Sequence, residues 1–237
     1  MFTIPNIRSC SKYRRKETQM PTATVEDYLK QIYLESGEKL LPMGQLATAL
    51  DVTPGTATAM VKRLAASKMV LYQPYNGVQL TPQGKHTALD VLRRHRLIES
   101  FLVEVLKIDW ADVHEEAEQL EHAVSPRLLD AIDSLLGHPQ FDPHGDPIPD
   151  GGGDISHQSN QLLAECQVGS QYRIARIADQ RNEFLHFLAK HNLRPGNLVT
   201  ILSSDPASEA MTLRTDLAGN DVTLAITAAS RILVCEP

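Results

Sequence analysis

The stretch most suited to chemistry is His114-Glu-Glu-Ala-Glu118-Gln-Leu-Glu121-His122. At ~100° per residue, His114, Glu118, Glu121 and His122 share a helical arc of roughly 100°. Val113, Ala117, Leu120 and Val124 form a separate apolar face. Two carboxylates and two imidazoles on one side are a ligand set for a divalent ion. Like charges three residues apart repel, so a helix gathers Glu118 and Glu121 only where a cation offsets them. No Lys or Arg lies between Lys107 and Arg127, which leaves a metal ion as the expected offset and a solvated acidic face as the alternative. His95 and Glu99, four residues apart, form a second pair able to grip one ion. Cys10, Cys166 and Cys235 are odd in number and in no CxxC arrangement, so they read as free thiols.

A different chemistry is expected upstream. Tyr28, Leu29, Ile32 and Tyr33 recur at helical steps, with Gly37 as the stop. A short helix follows from about Met43 to Leu50. Thr53-Pro54 then supplies a cap and a proline in the first turn of a helix whose stripe is Ala57, Met60, Val61 and Leu64. Met69 to Gln73 and Val78 to Leu80 are β-leaning runs flanking Pro74-Tyr75-Asn76-Gly77, a hairpin signal. Helix, helix and hairpin in this order read as a winged helix that binds double-stranded DNA. Its reading residues are expected to be Thr53, Thr56, Thr58, Lys62 and Arg63, through hydroxyls and positive charge. For Thr53 the cap alone is a sufficient explanation.

These residues need a scaffold. Thr81-Pro82 opens a long helix to about Leu106, a second runs from about Asp109 to Ala123, and Ser125-Pro126 caps a third that ends near Gly137. Residues 139–156 are rich in Pro, Asp and Gly and poor in apolar residues, so they are expected to be a linker. Tyr172 to Ile177, Leu198 to Leu202, Met211 to Arg214 and Val222 to Ile226 read as strands of a small barrel-like module, with one helix from about Asn182 to His191. The expected class is α+β. Its parts are a winged helix-turn-helix domain at 22–90, a helical metal-binding and dimerisation domain at 91–138, the linker, and a β module at 157–237. Residues 1–21 are basic and aperiodic: a basic arm, or an upstream reading frame if Met20 is the start.

The net charge of −6 is unevenly spread. Residues 1–89 hold 11 Lys and Arg against 6 Asp and Glu, leaving 12 against 23 for the rest. The first part suits a phosphate backbone and the second suits cations. No run reaches ~18 apolar residues and no signal-peptide pattern opens the chain, so no membrane partner and a cytoplasmic location are expected.

At this point the chain resembles the iron- and manganese-dependent repressors of the diphtheria-toxin-repressor type. The carrying residues are Thr24 to Tyr33, Leu80-Thr-Pro-Gln-Gly84, Arg94-His95-Arg-Leu-Ile-Glu99, Val113 to His122 and Gly145-Asp-Pro-Ile-Pro149. The resemblance implies a homodimer that represses transcription from operator DNA, and a C-terminal SH3-like module. It implies a primary metal site of Asp27, Glu118, Glu121 and His122. It further implies an ancillary site of His95, Glu99 and His114, with Asp179 and Glu183 as C-terminal ligands. The iron-responsive branch has Met and Cys where this chain has Asp27 and Glu118, and the short manganese branch has an acidic residue in place of Lys30. The oxygen-rich set favours Mn²⁺, with Fe²⁺, Co²⁺ or Zn²⁺ as alternatives. Two other classes compete: a metal-dependent hydrolase using the same Glu/His cluster, and a DNA-binding protein indifferent to metal.

Overall fold

Capping residues set where the helices begin. A computed structural model describes residues 22–36, 39–156, 158–205, 207–216 and 221–237. The expected basic arm, Cys10 and the Gly37 stop lie outside the described residues. Helices α1 (Ala23–Ser36), α2 (Met43–Ala49) and α3 (Pro54–Ala66) precede a hairpin of β1 (Val70–Gln73) and β2 (Gly77–Leu80). The Thr53 hydroxyl accepts from the Thr56 N–H and so starts α3, with Pro54 in its first turn. Tyr28, Leu29 and Ile32 of α1 pack with Leu46, Val61, Leu64 and Val78 into one core. The hairpin differs in one detail from the sequence reading. Gly77 is not a turn residue but pairs with Gln73, and the loop is Pro74, Tyr75 and Asn76. Gly77 has φ +137°, and a Cβ there would lie 2.4 Å from the Leu41 carbonyl oxygen.

Helix α4 (Pro82–Glu104) is a single rod of 23 residues, about 34 Å long at 1.5 Å per residue. Its first half joins the winged-helix core through Ala88. Its second half packs Ile98 and Leu102 on Val113 and Ala117 of α5 (Val113–Leu120), and Leu97 on Ile132 of α6 (Pro126–Leu135). Caps at Thr81 and Ser125 start α4 and α6 as the Thr-Pro and Ser-Pro pairs predict. Helix α5 is shorter than the expected span from Asp109 to Ala123. Trp110 and Ala111 leave the helical path to join the core of the β module, and Glu121 caps the other end.

The segment 139–156 is not the loose linker expected from its composition. Asp142, His144, Asp146 and Ile148 are buried. The Asp142 side chain accepts from the His144 and Asp146 N–H groups, folding the backbone into a tight turn. Arg93 and Arg96 of α4 donate to the carbonyls of Pro149 and Pro147. Polar contacts hold this strap, so counting apolar residues misreads it.

The β module contains β3 (Gln161–Leu162), β4 (Gln171–Ile177), α7 (Asn182–Lys190), β5 (Leu198–Asp205), β6 (Ala210–Thr215), β7 (Asp221–Ala225), α8 (Ile226–Ala229) and β8 (Ile232–Cys235). The strands form an antiparallel sheet in the order β3-β8-β4-β5-β6-β7. Ile226 begins α8 rather than ending the strand before it. Strands β3 and β8, absent from the sequence reading, close one side of the sheet. Cys166 and Cys235 are free. Among the described residues, no helix is long and apolar enough to cross a membrane.

Candidate metal centre and nucleic-acid interface

Helix α1 carries Glu26, Asp27 and Lys30 toward the turn that ends α5. Glu121 and His122 lie in that turn, beyond the last helical residue Leu120. His122 Nε2 is 2.8 Å from Asp27 Oδ1, and its Nδ1 is 2.6 Å from Glu26 Oε2. Glu26 is 5% exposed, and its other oxygen accepts from Arg94 of α4 at 2.6 Å. Arg94 also donates to the Glu121 carbonyl. The Glu26 carboxylate thus fixes the His122 ring and leaves Nε2 facing Asp27 and Glu121, whose Oε1 is 3.3 Å away. Burial raises the pKa of Asp27, and the attraction of His122 offsets this only in part.

Lys30 is 6% exposed and places Nζ 2.7 Å from both Glu118 Oε1 and Glu121 Oε1. Glu121 is fully buried, and its second oxygen meets His95 Nδ1 at 2.6 Å. Burial works against the Glu121 charge, but the His95 hydrogen bond and Lys30 outweigh it and lower its pKa. His95 Nε2 reaches Glu99 Oε1 at 3.1 Å and His114 Nδ1 at 3.2 Å. Burial opposes the charge on His95 too, yet Glu99 and Glu121 hold its pKa up to about 9.

A second set of groups lies on the strap side of α4. Glu99, Asp142 and His144 are all buried and offer ligand atoms within 4.8 Å of one another. His144 Nε2 meets the Trp110 carbonyl oxygen at 2.8 Å, while its Nδ1 has no hydrogen-bond partner and points to Glu99 Oε2 at 3.8 Å. Burial, with Glu99 and Asp146 nearby, pushes the Asp142 carboxyl up to about 7. A buried nitrogen without a partner beside two carboxylates fits a divalent ion.

Seven carboxylates (Glu26, Asp27, Glu99, Glu118, Glu121, Asp142 and Asp146) therefore share this region with the permanent cations Lys30, Arg94, Arg96 and Arg176. The surplus negative charge falls to the imidazoles or to a metal. Its donors are carboxylate oxygen and imidazole nitrogen, a set suited to Mn²⁺ and other borderline or hard divalent ions. Asp27, Glu121 and His122 form one group of ligand atoms, and His95, His114 and Glu118 form another. Glu118 is drawn to Lys30 and the His95 side rather than to Asp27. Asp179 and Glu183 join neither group: Arg181 and Arg231 occupy Asp179, and Glu183 is exposed at the start of α7. The β module instead reaches acidic groups through Gln180, which donates to Asp146, and His186, which pairs with Asp112.

The sequence reading missed Glu26, Lys30, Asp142 and His144. Lys30 had a signal, being an acidic position in the short manganese branch. The Asp142 and His144 pair was visible as Asp-Pro-His inside a segment dismissed on composition.

On the winged helix, Thr53, Thr56, Lys62 and Arg63 are exposed and Thr58 is half-buried. The Thr53 and Thr56 hydroxyls are 2.9 Å apart, and Thr58 donates to the Pro54 carbonyl, so part of their hydrogen bonding stays within α3. Lys62 and Arg63 carry free positive charge outward from the last turns of the helix, and Tyr75 stands fully exposed at the tip of the hairpin.

Residues 20–78 match the family described as "Iron dependent repressor, N-terminal DNA binding domain". Residues 81–150 match "Iron dependent repressor, metal binding and dimerisation domain", and residues 161–235 match "FeoA domain". The chain is 35% identical over 124 residues to the HTH-type transcriptional regulator MntR of Geobacillus thermodenitrificans (strain NG80-2), covering 52% of this chain and 87% of that protein. A solved manganese-dependent transcriptional repressor in complex with manganese superposes with a TM-score of 0.80 at 36% identity, over 90% of this chain and all of the other. ScaR with bound Zn²⁺ gives 0.73 at 33% identity, over 92% of this chain and all of the other.

Proposed function

Because the chain belongs to the iron- and manganese-dependent repressor family of the diphtheria-toxin-repressor type, we propose that Mn²⁺, held between α1 and the turn after α5, switches its DNA binding on. It is a metal-dependent DNA-binding transcriptional repressor and not an enzyme. The hydrolase alternative falls with the family assignment.

The observation that carries the proposal is the meeting of Asp27 with Glu121 and His122, across 95 residues of sequence. Asp27, Glu121 and His122, joined by Glu118, would hold the ion; Glu99, Asp142 and His144, with His95 and His114 beside them, would hold a second. A bound divalent ion supplies the positive charge that lets these carboxylates lie together. Asp27 sits on α1, whose Tyr28, Leu29 and Ile32 are core residues of the winged helix. Tying Asp27 to the α5 turn therefore fixes the orientation of α3 relative to the helical domain. Such a constraint selects one DNA-competent arrangement from a wider ensemble.

The reading unit is a homodimer on double-stranded operator DNA. Leu128 and Leu135 of α6, with Leu120 at the end of α5, remain exposed and provide an apolar face for the second copy. The regulated genes are those that bring the metal in, repressed when it is replete. Operator binding titrated with Mn²⁺ in chelator-buffered solution tests the proposal. Wild type is expected to gain affinity with Mn²⁺, and Asp27→Ala is expected to bind DNA equally with and without it. Equal affinity of the wild type in both conditions would overturn the proposal.

A further inference from the structure

The ammonium of Lys30 occupies the carboxylates that the ion needs. Nζ is 2.7 Å from Glu118 and 2.7 Å from Glu121, and the side chain is 7% exposed. Glu121 is buried completely, so the lysine is its compensating charge, together with His95. Two charge-assisted hydrogen bonds at this length are strong ones. An ion bound by Glu118 and Glu121 would lie within a few ångströms of Nζ, where two cations repel.

We propose that Lys30 is a built-in rival of the metal, a tethered cation that must leave Glu118 and Glu121 before the ion takes them, and that this exchange sets the metal concentration at which the repressor responds. The proposal rests on the metal reading above. Lys30 has room to leave: it lines a cavity of about 220 Å³ together with Leu34, Glu99, Asp142 and Asp146. His114 and Glu118, which also line it, are 47% and 39% exposed, so water reaches the displaced ammonium and its charge is not stranded. Being on α1, Lys30 also links the winged helix to the α5 turn before any ion arrives. Exchange therefore replaces the Lys30 cross-link between α1 and the α5 turn with one made by the ion.

The test is a chelator-competition titration of Mn²⁺ on the full chain, with wild type, Lys30→Met, Lys30→Gln, Lys30→Arg and Glu121→Gln, paired with thermal melting in chelator. The uncharged variants are expected to bind Mn²⁺ about tenfold more tightly than wild type or better, the factor carried by about one charge-assisted hydrogen bond. They are also expected to melt at lower temperature without metal and to show a larger rise on adding it. Lys30→Arg, which keeps the charge beside Glu118 and Glu121, should show no such gain. Unchanged or weaker Mn²⁺ affinity in either uncharged variant that folds, or Lys30→Arg binding as tightly as Lys30→Met, would overturn the proposal. Failure of the underlying metal reading looks different: wild type without saturable Mn²⁺ binding, or Glu121→Gln binding as wild type does.

Discussion

Replacing Glu26 with Gln probes how the metal centre is oriented, because Glu26 is buried and serves two partners at once. One carboxylate oxygen accepts from Arg94 and the other from His122 Nδ1, both at 2.6 Å. A glutamine amide has one oxygen and one NH₂, so it can accept from only one of these donors and turns a donor toward the other. The side-chain volume is kept while the charge and one charge-assisted hydrogen bond are lost. Arg94 retains the Glu121 carbonyl and is 15% exposed, so water relieves part of its loss. The cost to the metal-free fold is expected at about 1.5–3 kcal/mol, the range for hydrogen bonds to charged groups. The cost to metal binding is separable. Loss of the group that orients a ligating histidine typically lowers metal affinity by about 10–100-fold, or about 1.4–2.8 kcal/mol. Chemical denaturation in chelator reads the first quantity, and Mn²⁺ competition titration reads the second. Mn²⁺ affinity within about twofold of wild type in a folded Glu26→Gln protein would refute the view that Glu26 positions His122.

Two further outcomes are expected. His95 binds its proton more tightly in the folded chain, with a pKa raised from 6.5 to about 9, because Glu99 and Glu121 outweigh the opposing effect of burial. The stability it contributes is full below about pH 6.5 and is lost as pH rises through about 9. Metal-free protein should therefore unfold at lower denaturant concentration at about pH 9.5 than at about pH 6.5, and His95→Gln should narrow that gap; an unchanged gap counts against the assignment. On the reading helix, Lys62→Ala and Arg63→Ala should each weaken operator binding and lower the slope of log affinity against log salt by about one, with Mn²⁺ affinity unaltered. A slope equal to that of wild type would remove the residue from the phosphate contacts.

Local chemistry was legible in the sequence, and long-range pairing was not. Thr53-Pro54, Thr81-Pro82 and Ser125-Pro126 each mark a helix start, because the capping hydroxyl and the proline act within one turn. His95 with Glu99, and His114 with Glu118, could be paired by helical spacing alone. The ligand set divides differently in three dimensions, since α5 ends at Leu120 and the turn after it sends Glu121 and His122 to separate partners. Along α5 itself no Lys or Arg offsets Glu118 and Glu121. The offsetting cation is Lys30, 88 and 91 residues away, brought there by the packing of α1 against α4. Asp142 and His144 were hidden for another reason: their segment folds around polar contacts, and apolar periodicity is blind to these.

Trp110 gives the chain an order in time. It is 2% exposed and belongs to the same core as Ile174, Leu188, Val199 and Val234, although it lies before α5. Its indole also stacks on His144 at 5.5 Å. During synthesis at about 5–20 residues per second, this indole emerges roughly 6–25 s before Val234, the last member of that core, does. Throughout that interval the winged helix and α4 can fold while a large aromatic surface stands open beside the strap. The nascent chain thus passes through a stage in which every residue of the winged-helix core has been made while the strands that cover Trp110 have yet to emerge.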